Sequence, residues 1–217
     1  MPMAPEGWPF IIPGWLLTAA AAWLAETRSP WWWVGAGVLG VLSVWLLVFF
    51  RNPARTGPRG TAYVISPADG EIVSVAGVPE PLYLKGETTR ISIFMNVFNV
   101  HVNRYPVSGR VELVRYNPGK FLHAAREKAS LDNEQASVGI RGPHGPLLVR
   151  QIAGSIARRI VTDSREGENV TQAERLGMIR FGSRVDVFLP AGSGARVRVA
   201  LGDKVHAGAS VLAEYGA

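Results

Sequence analysis

The chain contains no cysteine. A thiolate nucleophile, a disulfide framework and a thiolate zinc site are therefore excluded, and any chemistry must come from hydroxyls, imidazoles, carboxylates and cations. The four histidines, His101, His123, His144 and His206, show neither an HxH nor an HxxxH spacing, which argues against a sequence-local metal site. Attention then falls on serines that follow glycine. Glycine lacks Cβ, so its carbonyl can be approached closely and its backbone can take strained angles. A serine hydroxyl directly after it is suited to attack on the preceding peptide bond. Three Gly-Ser pairs occur, at 154–155, 182–183 and 192–193. The dipeptide alone does not separate chemistry from an ordinary loop, but the pair in Phe181-Gly182-Ser183-Arg184-Val185-Asp186 stands at the entrance to an expected strand.

The elements that must position such a serine are short. After Pro53 and a linker containing Gly57, Pro58 and Gly60, β-branched runs alternate with turn residues: AYVIS, EIVSVAGV, TRISIFMNVFNV, GRVELVRY, LLVRQIAG, RRIVT, RVDVFLP, ARVRVALG and SVLAEY. Each reads as a strand. Helical signal is confined to residues 119–135, whose charges would equally suit a loop. The expected class is α+β, with a β-rich sandwich or barrel as the soluble part. SPADGEIVSV (66–75) and LGDKVHAGASVLAEY (201–215) echo each other, joining acid-and-glycine turns to short strands as in lipoyl-like half-repeats. A lipoyl-like carrier would display a modified lysine in an acidic, Met-containing tip, whereas Lys204 sits in an ordinary GDKV turn.

The front of the chain has a different composition. Residues 1–50 hold only Glu6, Glu26 and Arg28 as charges, while the remaining 167 residues hold 22 basic and 15 acidic side chains. Residues 31–50 are free of charge and long enough to cross a hydrocarbon core of ~30 Å. Residues 10–25 are shorter and carry Pro13, which leaves a second span, a re-entrant segment or an interfacial helix open. With no Lys or Arg in residues 1–27, a cleaved signal peptide is disfavoured. The expected domains are a hydrophobic membrane-anchoring hairpin at 1–50 and a β-rich catalytic domain at 51–217. Arg51, Arg55 and Arg59 follow the apolar run, which places the soluble domain on the cytoplasmic side of the cell membrane. The scattered basic excess matches no nucleic-acid motif, so no nucleic-acid partner is expected, and anionic lipid is the simpler one.

Seven blocks carry a more specific signal: SPADG (66–70), FMNVFNVHVNRYPVSG (94–109), NPGKF (117–121), DNE (132–134), QIAGSIARRIV (151–161), ERLGMIRFGSRVDVFLP (174–190) and GDKVHAG (202–208). Their order closely resembles phosphatidylserine decarboxylase, most narrowly the short prokaryotic form, over residues 51–217. The resemblance implies a pyruvoyl enzyme, made as an inactive chain that cuts itself between Gly182 and Ser183. On this pattern Ser183 Oγ attacks the Gly182 carbonyl to give an ester, and β-elimination leaves dehydroalanine. Hydrolysis with loss of ammonia then yields the pyruvoyl group. The products are a β chain (1–182) and an α chain (183–217), held as a heterodimer with a higher oligomer left open. The reaction implied is conversion of phosphatidylserine to phosphatidylethanolamine and CO2 through a Schiff base, without a metal.

A serine hydroxyl needs a base within hydrogen-bond reach and a third group to orient that base. By the resemblance these are His101 and Asp69, although His101 lies in an alternating run and Asp69 in a turn where each also has a plain structural reading. Longer relatives carry YHRxHxP; here HVNRYP puts His101 at the first histidine and Arg104 at the second. Either His101 serves both cleavage and decarboxylation, the preferred reading, or Arg104 positions an anionic group and another base acts. The LGST cleavage motif of those relatives is replaced by Phe181-Gly182-Ser183-Arg184. Arg104 and Arg184, with Arg158 and Arg159, are candidates for the substrate phosphate or carboxylate, or else form a solvated basic face. Competing readings are a non-enzymatic membrane-anchored carrier or adaptor, and a decarboxylase of a related serine lipid.

Overall fold

The computed structural model describes residues 2–119, 133–154, 159–180 and 183–216, and the chain divides into two compact units, Met1–Ala54 and Arg55–Ala217. In the first, a 3-10 turn at Pro5–Gly7 leads into α1 (Trp8–Thr27), and α2 (Trp32–Phe49) returns beside it. The run with several possible readings is thus one continuous helix with Pro13 inside it. Both helices are long and apolar enough to cross a membrane. Small side chains line the contact between them and large apolar ones face outward, a packing compatible with lipid. Gly14 lies against Ser43 and Gly40 against Thr18. The Thr18 and Ser43 hydroxyls are 3.3 Å apart, while Trp15, Leu16, Leu17, Trp23, Val34 and Val41 are exposed.

The second unit is built of strands. In chain order they are β1 (Tyr63–Ile65), β2 (Gly70–Glu80), β3 (Gly86–Met95), β4 (Val102–Arg104), β5 (Gly109–Asn117), β6 (Gln135–Gly142) and β7 (Gly145–Ala153). Then come β8 (Ile160–Thr162), β9 (Asn169–Val170), β10 (Arg175–Ile179), β11 (Ser183–Pro190), β12 (Ala195–Val197), β13 (Lys204–Val205) and β14 (Val211–Tyr215). Eight of them form one antiparallel sheet in the order β13-β2-β3-β11-β7-β6-β5-β9, curled into a half-barrel. Two three-stranded sheets, β1-β14-β12 and β4-β10-β8, accompany it. The fold is α+β with a β-rich soluble part. The helical signal at 119–135 falls mostly outside the described residues, and its last residue, Gln135, opens β6.

Period-two alternation decides which side chains β11 offers to each face. Val185, Val187 and Leu189 join a core with Ile91, Ile93, Val138, Val149 and Leu176. Ser183 shares their parity. Arg184 and Asp186 take the other face, where register aligns Ser92, Asp186, Arg150 and Ser137 across four strands. The two echoing segments turn out to be each other's partners. Ser66 N–H donates to Ser210 O and Gly208 N–H to Ser66 O, both at 2.8 Å, while Ile72 N–H donates to Asp203 O at 2.9 Å. Gly70, where the first echo enters β2, faces β3 so closely that a Cβ would stand 2.1 Å from Phe94 O, a backbone atom that cannot swing aside. Gly70→Ala is expected to cost about 3 kcal/mol by overpacking, lowering the thermal midpoint by about 5–10 °C. An unchanged melting curve would show that β2 and β3 can part there.

Candidate active site

Ser183 is the first residue of β11, in the middle of the large sheet, paired with Met95 on β3 and Ala153 on β7. It is fully buried. Its hydroxyl donates to Met95 Sδ at 3.4 Å. A thioether is a weak acceptor and takes no proton, so this contact orients Oγ without activating it.

His101 is also fully buried, at the point where a turn over residues 96–100 enters β4. Its Nδ1 lies 3.0 Å from Asn99 O. A carbonyl only accepts, so Nδ1 carries a proton and donates it to Asn99 O, which leaves Nε2 as the ring nitrogen able to exchange one. The carbonyl of His101 receives the N–H of Ile179 at 3.4 Å, four residues ahead of Ser183, so β4 runs beside the segment that delivers the serine. Asn103 strengthens the link. Its Nδ2 donates to Met95 Sδ at 3.7 Å, the same sulfur that receives Ser183 Oγ, and its Oδ1 accepts from Gln151 Nε2 at 2.8 Å.

Asp69 occupies the turn before β2 and is 4% exposed. Its carboxylate accepts from Arg55 Nη2 at 2.6 Å and from the Ala207 N–H at 2.8 Å, with His206 Nδ1 3.6 Å away. These contacts tie the two echo turns together, and among the described residues the Asp69 carboxylate makes no bond to His101. Arg104 is drawn to the same place: its N–H donates to Pro67 O at 2.9 Å and its guanidinium to Ala173 O at 2.9 Å. Burial, followed by the nearby Arg55, lowers the pKa of Arg104, and Asp69 opposes the shift. Asp69, Arg55 and Arg104 thus form one cluster with a net positive charge.

Arg184 is placed elsewhere. It is 1% exposed, and its guanidinium grips Asp186 through Nε at 2.6 Å and Nη2 at 3.1 Å, with Ser92 Oγ at 2.8 Å. Standing next to Ser183 in sequence puts it on the opposite face of β11, and its charge is matched by a carboxylate two residues along. His144 stacks on Tyr215 at 4.1 Å, and His123 and Arg158 lie outside the described residues. Among the described residues no three His, Asp or Glu side chains converge as a metal-binding group. Met95, Asn103 and Gln151 are the site neighbours that residue types did not reveal. Their signal was polarity or softness at inward positions of apolar strands, inside the blocks at 94–109 and 151–161. Arg55 was read only as a membrane-flanking charge.

A family model for phosphatidylserine decarboxylase matches residues 42–213, from within α2 to within β14.

Proposed function

The chain belongs to the phosphatidylserine decarboxylase family, and on that premise we propose that it cuts itself between Gly182 and Ser183. Residue 183 then carries a pyruvoyl group, with which the enzyme converts phosphatidylserine to phosphatidylethanolamine and CO2. The observation that carries the reading is the setting of Ser183: fully buried, following a glycine, and hydrogen-bonded on both sides as the first residue of a central strand. That setting fits the group. A cap on residue 183 would be shielded from water, flanked by Met95 and Ala153, and fixed by two ladders. A pyruvoyl group supplies a carbonyl that acts as an electron sink when a carboxylate departs.

The chain's own residues have the following parts in this proposal. His101, with Nδ1 held by Asn99 O, uses Nε2 to take the Ser183 hydroxyl proton during self-cleavage, and later gives a proton to the carbon that has lost CO2. Asp69 fixes Arg55 and the 206–208 turn, which holds the cation cluster in place. Arg104, half-buried in that cluster, meets the anionic groups of the substrate. The strand pairing also explains how the enzyme survives its own cut: residues 183–217 contribute β11, β13 and β14, paired with β3 and β7, β2, and β1 respectively, so the two pieces stay joined as a heterodimer. The helical pair anchors the enzyme in the cell membrane, with Arg51, Arg55 and Arg59 marking the cytoplasmic side. A lipid with two acyl chains does not leave a bilayer cheaply at ~0.8 kcal/mol per CH2, so an anchored enzyme meets it there.

Intact-mass spectrometry and a denaturing gel test this. We expect two pieces, the smaller being residues 183–217 with a blocked amino terminus. Borohydride added with labelled phosphatidylserine should fix label to that smaller piece. A single uncut chain with an ordinary serine at 183 would leave the carrier or adaptor reading standing, and label on the larger piece would point to lysine chemistry.

A further inference from the structure

Gln151 is completely buried on β7, and among the described residues its Oε1 has no hydrogen-bond partner. The orientation of its amide is forced by chemistry. Asn103 Nδ2 faces Pro67 O at 3.4 Å and Met95 Sδ at 3.7 Å, both of which only accept, so Asn103 must turn its NH2 toward them and its Oδ1 toward Gln151. Gln151 must then turn its own NH2 toward Asn103. The atom left over is a carbonyl oxygen, sealed from water and lacking a donor among the described residues, a condition that buried polar atoms rarely tolerate without a role.

The position of that oxygen suggests the donor. Gln151 pairs with Val185 and Ala153 with Ser183, so Gln151 lies two residues along β7 from the partner of Ser183 and projects from the same sheet face. Diagonal neighbours of this kind are ~7–8 Å apart at Cα, within reach of a long side chain. On the serine headgroup the carboxylate and the phosphodiester only accept hydrogen bonds, and the amine alone donates.

Resting on the function proposed above, we infer that Gln151 Oε1 receives an N–H of the substrate's primary amine and aims its nitrogen at residue 183, with Asn103 as the residue that positions Gln151. A neutral carbonyl can hold the N–H but cannot remove the proton, which leaves proton transfer to His101.

The test separates amine recognition from turnover. Wild type, Gln151→Met and Gln151→Glu are purified as full chains and checked for self-cleavage. They are then reduced with borohydride in the absence of substrate, so that binding is read without reaction. Affinities are measured for short-chain phosphatidylserine and for short-chain phosphatidylglycerol, which has no amine. Gln151→Met is expected to cut itself normally, to bind phosphatidylserine about tenfold more weakly, and to bind phosphatidylglycerol as wild type does. Gln151→Glu, which puts an anionic acceptor at the same reach, should widen the preference for phosphatidylserine. Equal phosphatidylserine affinity in wild type and Gln151→Met overturns the inference. If Gln151→Met is not cut, Gln151→Glu decides alone, and an unchanged preference overturns the inference. Failure of both variants to cut assigns Gln151 to folding and overturns it as well. An uncut wild type would instead bring down the proposed function itself, a result distinct from any of these.

Discussion

Ser183→Ala is expected to leave one uncut chain of 217 residues with no decarboxylase activity above background. Removing Oγ deletes the atom that would attack the Gly182 carbonyl, and Met95, its hydrogen-bond partner on β3, offers only a thioether in its place. Folding should barely suffer. Among the described residues the hydroxyl makes a single weak bond, to Met95 Sδ, alanine fits the same strand position, and the loss should stay at or below about 1 kcal/mol. A gel showing full-length chain, with a melting curve close to wild type, is the expected pair of results. Ser193→Ala is the natural control. Ser193 lies in the turn after β11, where its hydroxyl accepts from the Ala195 N–H at 3.5 Å, and that variant should cut as wild type does. Normal cutting of Ser183→Ala would move the scissile bond elsewhere and remove the basis of the mechanism.

Much of the β domain was legible because alternation is a local signal. RVDVFLP, TRISIFMNVFNV and LLVRQIAG announce β11, β3 and β7, the three strands that surround Ser183, although β3 ends at Met95 and the following NVFNV is a turn; the echo between residues 66–75 and 201–215 announces segments that pair with one another. β6 and β10 were not legible. Gly139 and Gly177 interrupt their apolar patterns, and both glycines are there because a neighbour takes the space: the Tyr83 ring stands 2.9 Å from where a Cβ at 139 would be, and Val161 O 2.1 Å from one at 177. Such pressures come from residues distant in sequence. The same reason hid the Asn103–Gln151 pair, whose members are 48 positions apart, and the Arg55–Asp69 ion pair. Arg184 shows the opposite case. It stands among the substrate candidates because an arginine fork suits phosphate and carboxylate, while strand parity sets it on the face opposite Ser183.

His101→Gln is the second large effect we expect, with decarboxylation reduced by about 10²–10⁴-fold, the usual worth of a positioned general acid or base. Self-cleavage should slow as well, visible as accumulation of uncut chain in a time course. Glutamine is the informative replacement. Its amide NH2 can still donate to Asn99 O, so the buried turn keeps its bond while proton transfer is lost. The base cannot easily shift to the second histidine position of the longer relatives, because Arg104 stands there. Burial and Arg55 lower its pKa, but an arginine guanidinium does not give up its proton inside a protein and cannot act as the base. Imidazole supplied in solution offers a further check, since small bases can enter only if the pocket left by His101 is open to them. Full turnover by His101→Gln, measured as CO2 released from carboxyl-labelled phosphatidylserine, would return His101 to a role in packing β4 against β10. Because Asn99 and Ile179 hold the residue through its ring and its backbone, a loss of turnover with both the fold and the Asn99 bond preserved would locate the proton-transfer step at Nε2.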